Sequence, residues 1–125
     1  MNNKLTGMLS KIQDTLEEFD LPVWYGKTFC KEKDKWNYIV FNRKQLEKSG
    51  RSSMDYNYNY LVHIIMENYI TEGFEQQIIK SIEENTRLKL VDQPHTFNYV
   101  TKNNTDTVIE MLTLEFTKTF KGCDL

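Results

Sequence analysis

The residues of this chain that could do acid–base, nucleophilic or metal chemistry are few and scattered. Its 125 residues include two histidines, His63 and His95, and two cysteines, Cys30 and Cys123. The sequence contains no His-Glu-x-x-His motif of a zinc hydrolase, no glycine-rich phosphate loop and no nucleophile elbow. Its adjacent carboxylates lie on predicted helices, where neighbouring residues do not face one another. We therefore predict that the protein is not an enzyme and binds no metal or cofactor.

The histidines and cysteines have simpler expected roles. His63 falls inside a predicted strand, so we expect its ring to be partly buried and hydrogen-bonded. Neither cysteine has a second cysteine or histidine at the spacing of a metal site. A disulfide would require their Cα atoms to lie within about 7 Å of each other. We predict that both are free thiols in a reducing cytoplasm.

Size and composition indicate one folded domain spanning residues 1–125. Hydrophobic residues make up 39% of the chain, enough for a core, and the net charge of −2 is too small to favour disorder. A dedicated nucleic-acid-binding protein would normally carry a strongly basic surface, so a net charge of −2 argues against that function. The sequence has no run near the ~18 apolar residues that a membrane helix needs and no apolar signal core at its start. We therefore expect no membrane contact.

Hydrophobic periodicity predicts two helices and five strands. Apolar residues at three- and four-residue steps predict a first helix at 3–19 and a second that starts near Thr71 and ends at 83–86. The predicted strands are 23–29, 36–41, 55–69, 88–101 with a break near Pro94, and 107–121. The first two strands are expected to pair as a hairpin. The order α-β-β-β-α-β-β predicts an α+β fold, an antiparallel sheet with two helices packed on one face.

The predicted strand at 55–69 is the most distinctive segment. Because strand side chains alternate, Tyr56, Tyr58 and Tyr60 lie on one face, and Asn57 and Asn59 lie on the other. At roughly 3.3 Å per residue this strand could reach about 45 Å, which is long for a small domain. Tyrosine buries a large ring and keeps a polar tip, so it is common at interfaces. The three tyrosines are candidates for an oligomer interface, with packing at the edge of the core as the alternative.

The segment before this strand is basic and rich in small residues. We interpret residues 43–54 as a loop that contains Lys44, Lys48 and Arg51. One interpretation is a flexible arm that becomes ordered on assembly and meets acidic surface on a neighbour. The alternatives are an ordinary solvated connection and contact with DNA phosphates.

Several of these segments resemble the tail terminator, or tail completion, proteins of long-tailed bacteriophages. The resemblance covers roughly residues 36–121, together with the chain length and the order of elements. The segments that carry it are Trp36-Asn-Tyr-Ile-Val-Phe, Leu46-Glu-Lys-Ser-Gly, the tyrosine strand ending Val62-His-Ile-Ile, Leu88-Lys-Leu-Val-Asp, His95-Thr-Phe-Asn-Tyr-Val-Thr-Lys and Thr107-Val-Ile-Glu-Met-Leu-Thr-Leu-Glu-Phe-Thr-Lys.

The resemblance implies a small α+β subunit of a phage or prophage that closes into a ring, commonly a hexamer, at the head-proximal end of the tail tube. Such a ring stops polymerisation of the tail tube protein and provides a docking face for the head–tail connector protein. DNA passes through its lumen without specific binding, which a net charge of −2 permits. The implied location is the tail–head junction of the virion, and the host cytoplasm during assembly.

Two other functions fit the same outline. A head–tail joining or minor capsid protein could share this size and fold. A non-phage module could bind a peptide by strand addition at the edge of its sheet.

Overall fold

In the computed structural model, which describes residues 5–31, 33–48 and 55–120, three long strands form the centre of a six-stranded sheet. The elements in chain order are α1 (Gly7–Glu17), β1 (Val23–Tyr25), β2 (Tyr38–Lys48), β3 (Tyr56–Glu67), α2 (Phe74–Thr86), β4 (Lys89–Leu90), β5 (Phe97–Thr101) and β6 (Val108–Phe120). The presence of two helices and a sheet agrees with the predicted α+β class.

The strands lie in the order β1-β2-β3-β6, and both β4 and β5 pair with the outer edge of β6. The pairing of β3 with β6 runs without interruption from Tyr56↔Phe120 to Glu67↔Ile109. The sheet is mixed, because β1 is parallel to β2 whereas the other pairings are antiparallel. The prediction of a purely antiparallel sheet is therefore wrong.

The parallel pairing of β1 and β2 replaces the predicted hairpin. Val23 pairs with Ile39, and the chain between the two strands crosses over at residues 26–37. A parallel pair needs a crossover of about a dozen residues, whereas a hairpin needs only two to five. Gly26 starts this crossover at φ +86°, a left-handed conformation that glycine adopts without strain.

Strand β2 is longer than predicted, and this corrects the interpretation of the basic segment. Residues 43–48 continue the strand, with Gln45 paired to Asn59 and Lys48 paired to Tyr56. A register shift between Arg43 and Gln45 marks a bulge. The strand is held here by its ladder with β3 while its side chains stay exposed, so hydrophobic periodicity gave no signal for it. Residues 49–54 of the predicted loop lie outside the described residues.

Other predicted elements agree more closely with the structure. The strand predicted at 55–69 is β3, and the one predicted at 107–121 is β6. The strand predicted at 88–101 is two short strands, β4 and β5, with Pro94 between them. The turn predicted at 102–106 is present, and Asn104 there adopts φ +60°.

The main core contains buried residues of both helices and of the long strands. Ile12 and Leu16 of α1 and Ile78 and Ile82 of α2 are fully buried within it. The sheet contributes alternate residues, as strand geometry requires. These strand residues are Ile39, Phe41, Tyr60, Val62, Ile64, Leu112, Leu114 and Phe116.

A second, smaller core covers one end of the opposite sheet face. Its buried members are Tyr38, Val40, Ile65 and Ile109. Trp24, Trp36, Cys30 and Met111 pack against them. The crossover segment therefore brings Trp36 and Cys30 onto a face that the sequence analysis left uncovered. Cys30 is a free thiol, as predicted, and burial raises its pKa with a smaller contribution from Asp34; Cys123 lies outside the described residues.

Truncating a core ring tests this assignment of the main core. Phe41 is 0% exposed, so Phe41→Ala should lower the free energy of unfolding by about 3–5 kcal/mol through lost burial and a residual cavity. Phe29 is 64% exposed, and Phe29→Ala should change it by less than about 1 kcal/mol. Urea denaturation of both variants measures the difference, and equal losses would contradict the core described here.

Candidate functional site

The ends of the three long strands extend beyond the main core, whose last sheet residues in this direction are Tyr60 and Phe116. We call residues 43–48, 56–59 and 117–120 the tongue. Its β2 residues are exposed, and its β3 residues are half-buried. It has two chemically different faces, because alternate residues of each strand point to opposite sides.

The three candidate interface tyrosines have different environments. Tyr60 is 3% exposed and belongs to the main core, so its ring offers no surface to a partner. Tyr58 is half-buried, stacks on Tyr60 at 6.5 Å between ring centroids and meets the edge of Phe120 at 5.1 Å. Tyr56 is half-buried at the tip, where it pairs with Phe120. Tyr58 packs against the edge of the main core and Tyr60 lies within it. The interface role of Tyr56, and of the part of Tyr58 that stays exposed, remains a prediction.

The candidate assembly residues are not brought together on a loop. Lys44 forms an ion pair with Glu115 at 2.9 Å on the face opposite the tyrosines. Lys48 is exposed at the end of β2, beside Tyr56 on the tyrosine face. Arg51 lies outside the described residues.

The tyrosine face of the tongue is aromatic and cationic. Cross-strand register places Arg43 opposite Tyr60, and Lys118 opposite Tyr58, on this face with Lys48. Arg43 also donates from Nε to the hydroxyl of Tyr25 at 3.2 Å. Within the described strands of the tongue no carboxylate shares this face. Leu46, 54% exposed, adds apolar surface between the cations.

The opposite face of the tongue carries a polar network centred on Glu115. This carboxylate, 8% exposed, accepts hydrogen bonds from Lys44 at 2.9 Å, Asn59 at 2.7 Å and Gln93 at 3.1 Å. Burial raises the pKa of Glu115, but these donors outweigh burial and hold the pKa below its ordinary value. The buried charge is therefore well satisfied, and Thr117 extends the network by donating to Asn59 at 2.8 Å. Sequence reasoning missed this site because Glu115 alternates with apolar residues like any exposed strand residue.

His63 lies on the same face, between the polar network and the second core. Its Nδ1 is 2.9 Å from the Thr113 hydroxyl, and its Nε2 is 2.8 Å from Asn42 Oδ1. Because Oδ1 can only accept, Nε2 carries the proton and Nδ1 accepts from Thr113. Burial lowers the pKa of His63, which keeps the ring neutral. The expectation of a partly buried, hydrogen-bonded histidine is confirmed.

A half-buried ion pair ties the crossover segment to the end of the sheet. Glu67 accepts from Lys102 at 2.9 Å and from the backbone N–H of Trp36 at 2.7 Å. The hydrogen bond from Lys102 is the main reason that the pKa of Glu67 lies below its ordinary value. Lys102 Nζ also lies 5.4 Å from the centre of the Trp36 ring, within cation–π range.

The outer edge of β5 is the second unusual surface. Its five residues are exposed, including Phe97, Val100 and Tyr99, which is 59% exposed. Beside it lies a cleft of about 350 Å³ between β5 and the start of α2. The cleft is lined by Tyr69, Ile70, Glu72, Glu75, Phe97 and Glu110. A strand was predicted here, and its uncharged, aromatic composition is the sequence signal that could have indicated an interaction surface.

The acidic side of this cleft is partly organised by hydrogen bonds. Glu110 accepts from the Tyr99 hydroxyl at 2.7 Å and from the backbone N–H of Ile70. The bond to Glu110 raises the pKa of Tyr99. Glu75 lies in the first turn of α2, where the helix dipole favours acidic side chains, and Glu72 lies just before the helix. No cation lines the described cleft.

The described residues hold no cluster that could bind a metal, since no three His, Cys, Asp or Glu side chains converge within 5–31, 33–48 and 55–120. No described helix is both long enough and apolar enough to cross a membrane. No protein-family model matches this chain, and no curated protein has a significantly similar sequence.

Removing the charge of Glu115 tests the polar network. Glu115→Gln should lower the free energy of unfolding at pH 7 by about 1–3 kcal/mol, because the neutral amide keeps only one acceptor oxygen and loses the charge-assisted hydrogen bonds of the network. The folded pKa of Glu115 is depressed, so its contribution is present above the unfolded pKa of about 4.3 and is lost as pH falls through the folded pKa. Urea denaturation from neutral to acidic pH should show a shallower acid loss in the variant than in wild type. The exposed Glu84→Gln is the matched control, and an identical response of both variants would contradict the network.

The pH dependence near neutrality tests the state of His63. Its folded pKa is lowered, so the unfolded chain binds the proton first and stability falls as pH drops below about 6.5. His63→Gln should flatten this fall, whereas His95→Gln should leave the contribution of His63 in place. Urea denaturation at several pH values between about 5 and 7 measures both slopes. A steeper fall in His63→Gln would show that the folded protein prefers the charged ring.

Proposed function

We propose that this protein is a structural subunit resembling phage tail terminators, which forms a ring on the head-proximal end of a tail tube and offers a joining surface to the head connector. The observation that carries the proposal is the tongue. It extends beyond the buried centre of the subunit and carries the exposed Leu46 and the half-buried Tyr56, Tyr58 and Phe120 on a cationic face. A monomer gains little from the part of these apolar side chains that stays in water, whereas an assembly can bury it.

The long strands of the sheet connect the proposed interface directly to the core of the subunit. β3 pairs over its whole length with residues 109–120 of β6, so the tongue is continuous with the main core. In the proposed subunit both helices pack on the tyrosine face of the sheet and brace these strands. The strand order of this subunit is the observed one, with β1 parallel to β2 at one edge.

The proposed partners follow from the resemblance and not from a contact in the structure. They are further copies of this chain in a ring of about six, the tail tube protein and the head–tail connector. DNA would pass through the lumen without base-specific contacts. A net charge of −2 is compatible with passage, because a strongly basic channel would retain DNA.

A second candidate function is favoured by β5. An exposed, uncharged edge strand beside a cleft is the arrangement by which peptide-binding modules add a strand from their ligand. In that case the protein would be a monomeric or dimeric module with no affinity for tail tubes. A head–tail joining or minor capsid protein would use the same surfaces at a neighbouring position of the virion.

Replacing the tongue tyrosines tests the proposal. Tyr56→Ser combined with Tyr58→Ser should leave the fold intact and weaken ring formation and tube capping at least tenfold, since about 1.4 kcal/mol of lost contact gives that factor. Light scattering after size exclusion measures the oligomer. Electron microscopy of tubes assembled from the tail tube protein of the same genome measures capping.

Tyr60→Ser is the matched comparison, because Tyr60 lies in the core. It should lower the melting temperature far more than the double variant does. A double variant that unfolds while its residual folded fraction still forms rings would contradict an interface role. Wild-type protein that neither forms rings nor caps tubes would rule out the terminator function.

A further inference from the structure

Two unpaired strand edges of the described sheet, one on each side, are at least five residues long. On one side β1 pairs only with residues 39–41 of β2, so the rest of β2 has no outer neighbour among the described residues. On the other side β5 pairs with β6 and has no described strand beyond it. Unpaired backbone N–H and C=O groups on such edges are ready to pair with another chain.

The edge of β5 lacks the usual protection against association. Its sequence, Phe97-Asn-Tyr-Val-Thr, has no charge and no proline. All five residues are exposed. Natural proteins normally guard such edges with lysines, prolines or bulges. An unguarded edge of this composition indicates a strand-pairing surface.

The free edge of β2 is guarded, but only against copies of itself. It carries the bulge near Lys44, and Arg43 and Lys48 stand on its tyrosine face. Two β2 edges brought together would place these cations against each other, which is unfavourable. Leu46, 54% exposed between them, has no apolar neighbour on the outer side.

The two edges complement each other in charge and in apolar surface. Register with β6 puts Phe97 and Tyr99 on the helix side of the sheet, the same side as Arg43, Leu46 and Lys48. The acidic side chains of Glu72, Glu75 and Glu110 line the cleft beside β5 on that side. A β2 edge placed along β5 would bring Leu46 to the exposed rings and the two cations to these carboxylates. Pairing β5 with another β5 would instead bring acidic clefts together.

We propose that the free edge of β2, residues 42–48, of one copy pairs with β5 of the next copy, with Arg43 and Lys48 meeting the acidic cleft. This deepens the proposed ring function and rests on it, since a ring needs two different surfaces on each subunit. β2 and β6 run in the same direction, because both are antiparallel to β3, and β5 runs opposite to them. Neighbours that share one strand axis therefore pair β2 with β5 in antiparallel fashion and continue the sheet from copy to copy.

Two one-sided variants test this pairing. The β2-side variant combines Leu46→Ser with Lys48→Ser, and the β5-side variant combines Phe97→Lys with Glu72→Lys, so that the two altered edges do not attract each other. Each leaves the other edge intact and changes only exposed or partly exposed side chains. Native mass spectrometry and light scattering measure the mass of each variant and of their equimolar mixture, and thermal melting checks that both are folded.

The head-to-tail pairing makes a distinctive prediction for the mixture. Each variant alone should be monomeric where wild type is oligomeric. The mixture should form a one-to-one dimer and nothing larger, because only one intact pair of edges remains in that complex. The controls Lys80→Ser and Glu84→Lys make the same kinds of substitution on exposed α2 positions and should assemble like wild type.

Several outcomes would overturn the pairing. These are a β2-side variant that still dimerises through β5, a mixture without the heterodimer, or wild type that stays monomeric at millimolar concentration. Capping of tail tubes is scored separately. If wild type caps tubes and both variants still assemble, the edge pairing is wrong and the proposed tail function stands. Head-to-tail association of wild type without any effect on tubes supports the pairing and overturns the tail function.

Discussion

The structure depends on the ladder between β3 and β6. These strands pair from Tyr56↔Phe120 to Glu67↔Ile109, and β2, β4 and β5 are all attached to one of the two. One face of the ladder supplies the centre of the main core, and the other carries His63 and Glu115. A register slip of one residue would exchange these faces and place the Glu115 carboxylate in the apolar core. The alternation of apolar and polar residues therefore specifies the register as well as the strands.

The parts of the fold that could be predicted are those with strong periodicity. The helix stripes that contain Ile12 and Ile78, and the alternation along β3 and β6, arise from burial on one side, which the sequence records directly. Asn104 likewise marks a turn through its own backbone preference. For these elements local chemistry and tertiary packing agree.

The remaining parts depend on pairing partners that no local pattern identifies. Residues 43–48 are polar and exposed, yet they form a strand because β3 offers a partner of matching length. Val23–Tyr25 has the composition of any short strand, and only the path of the crossover makes it parallel to β2. Of the candidate site, Tyr56 and Tyr58 were found through their alternation, whereas Tyr60 was assigned to the same surface although it lies in the core. The aromatic edge of β5 was missed because uncharged strand residues usually indicate burial.

β6 spans the distance between the two surfaces that distinguish this molecule, with Glu110 at one end and Phe120 at the other. At roughly 3.3 Å per residue, the ten steps between them amount to about 33 Å of extended backbone. A hydrogen-bonded strand with neighbours on both sides resists stretching and compression. In any array built through both surfaces, the displacement of neighbouring copies along the strand direction is therefore fixed by the number of β6 residues between the two surfaces.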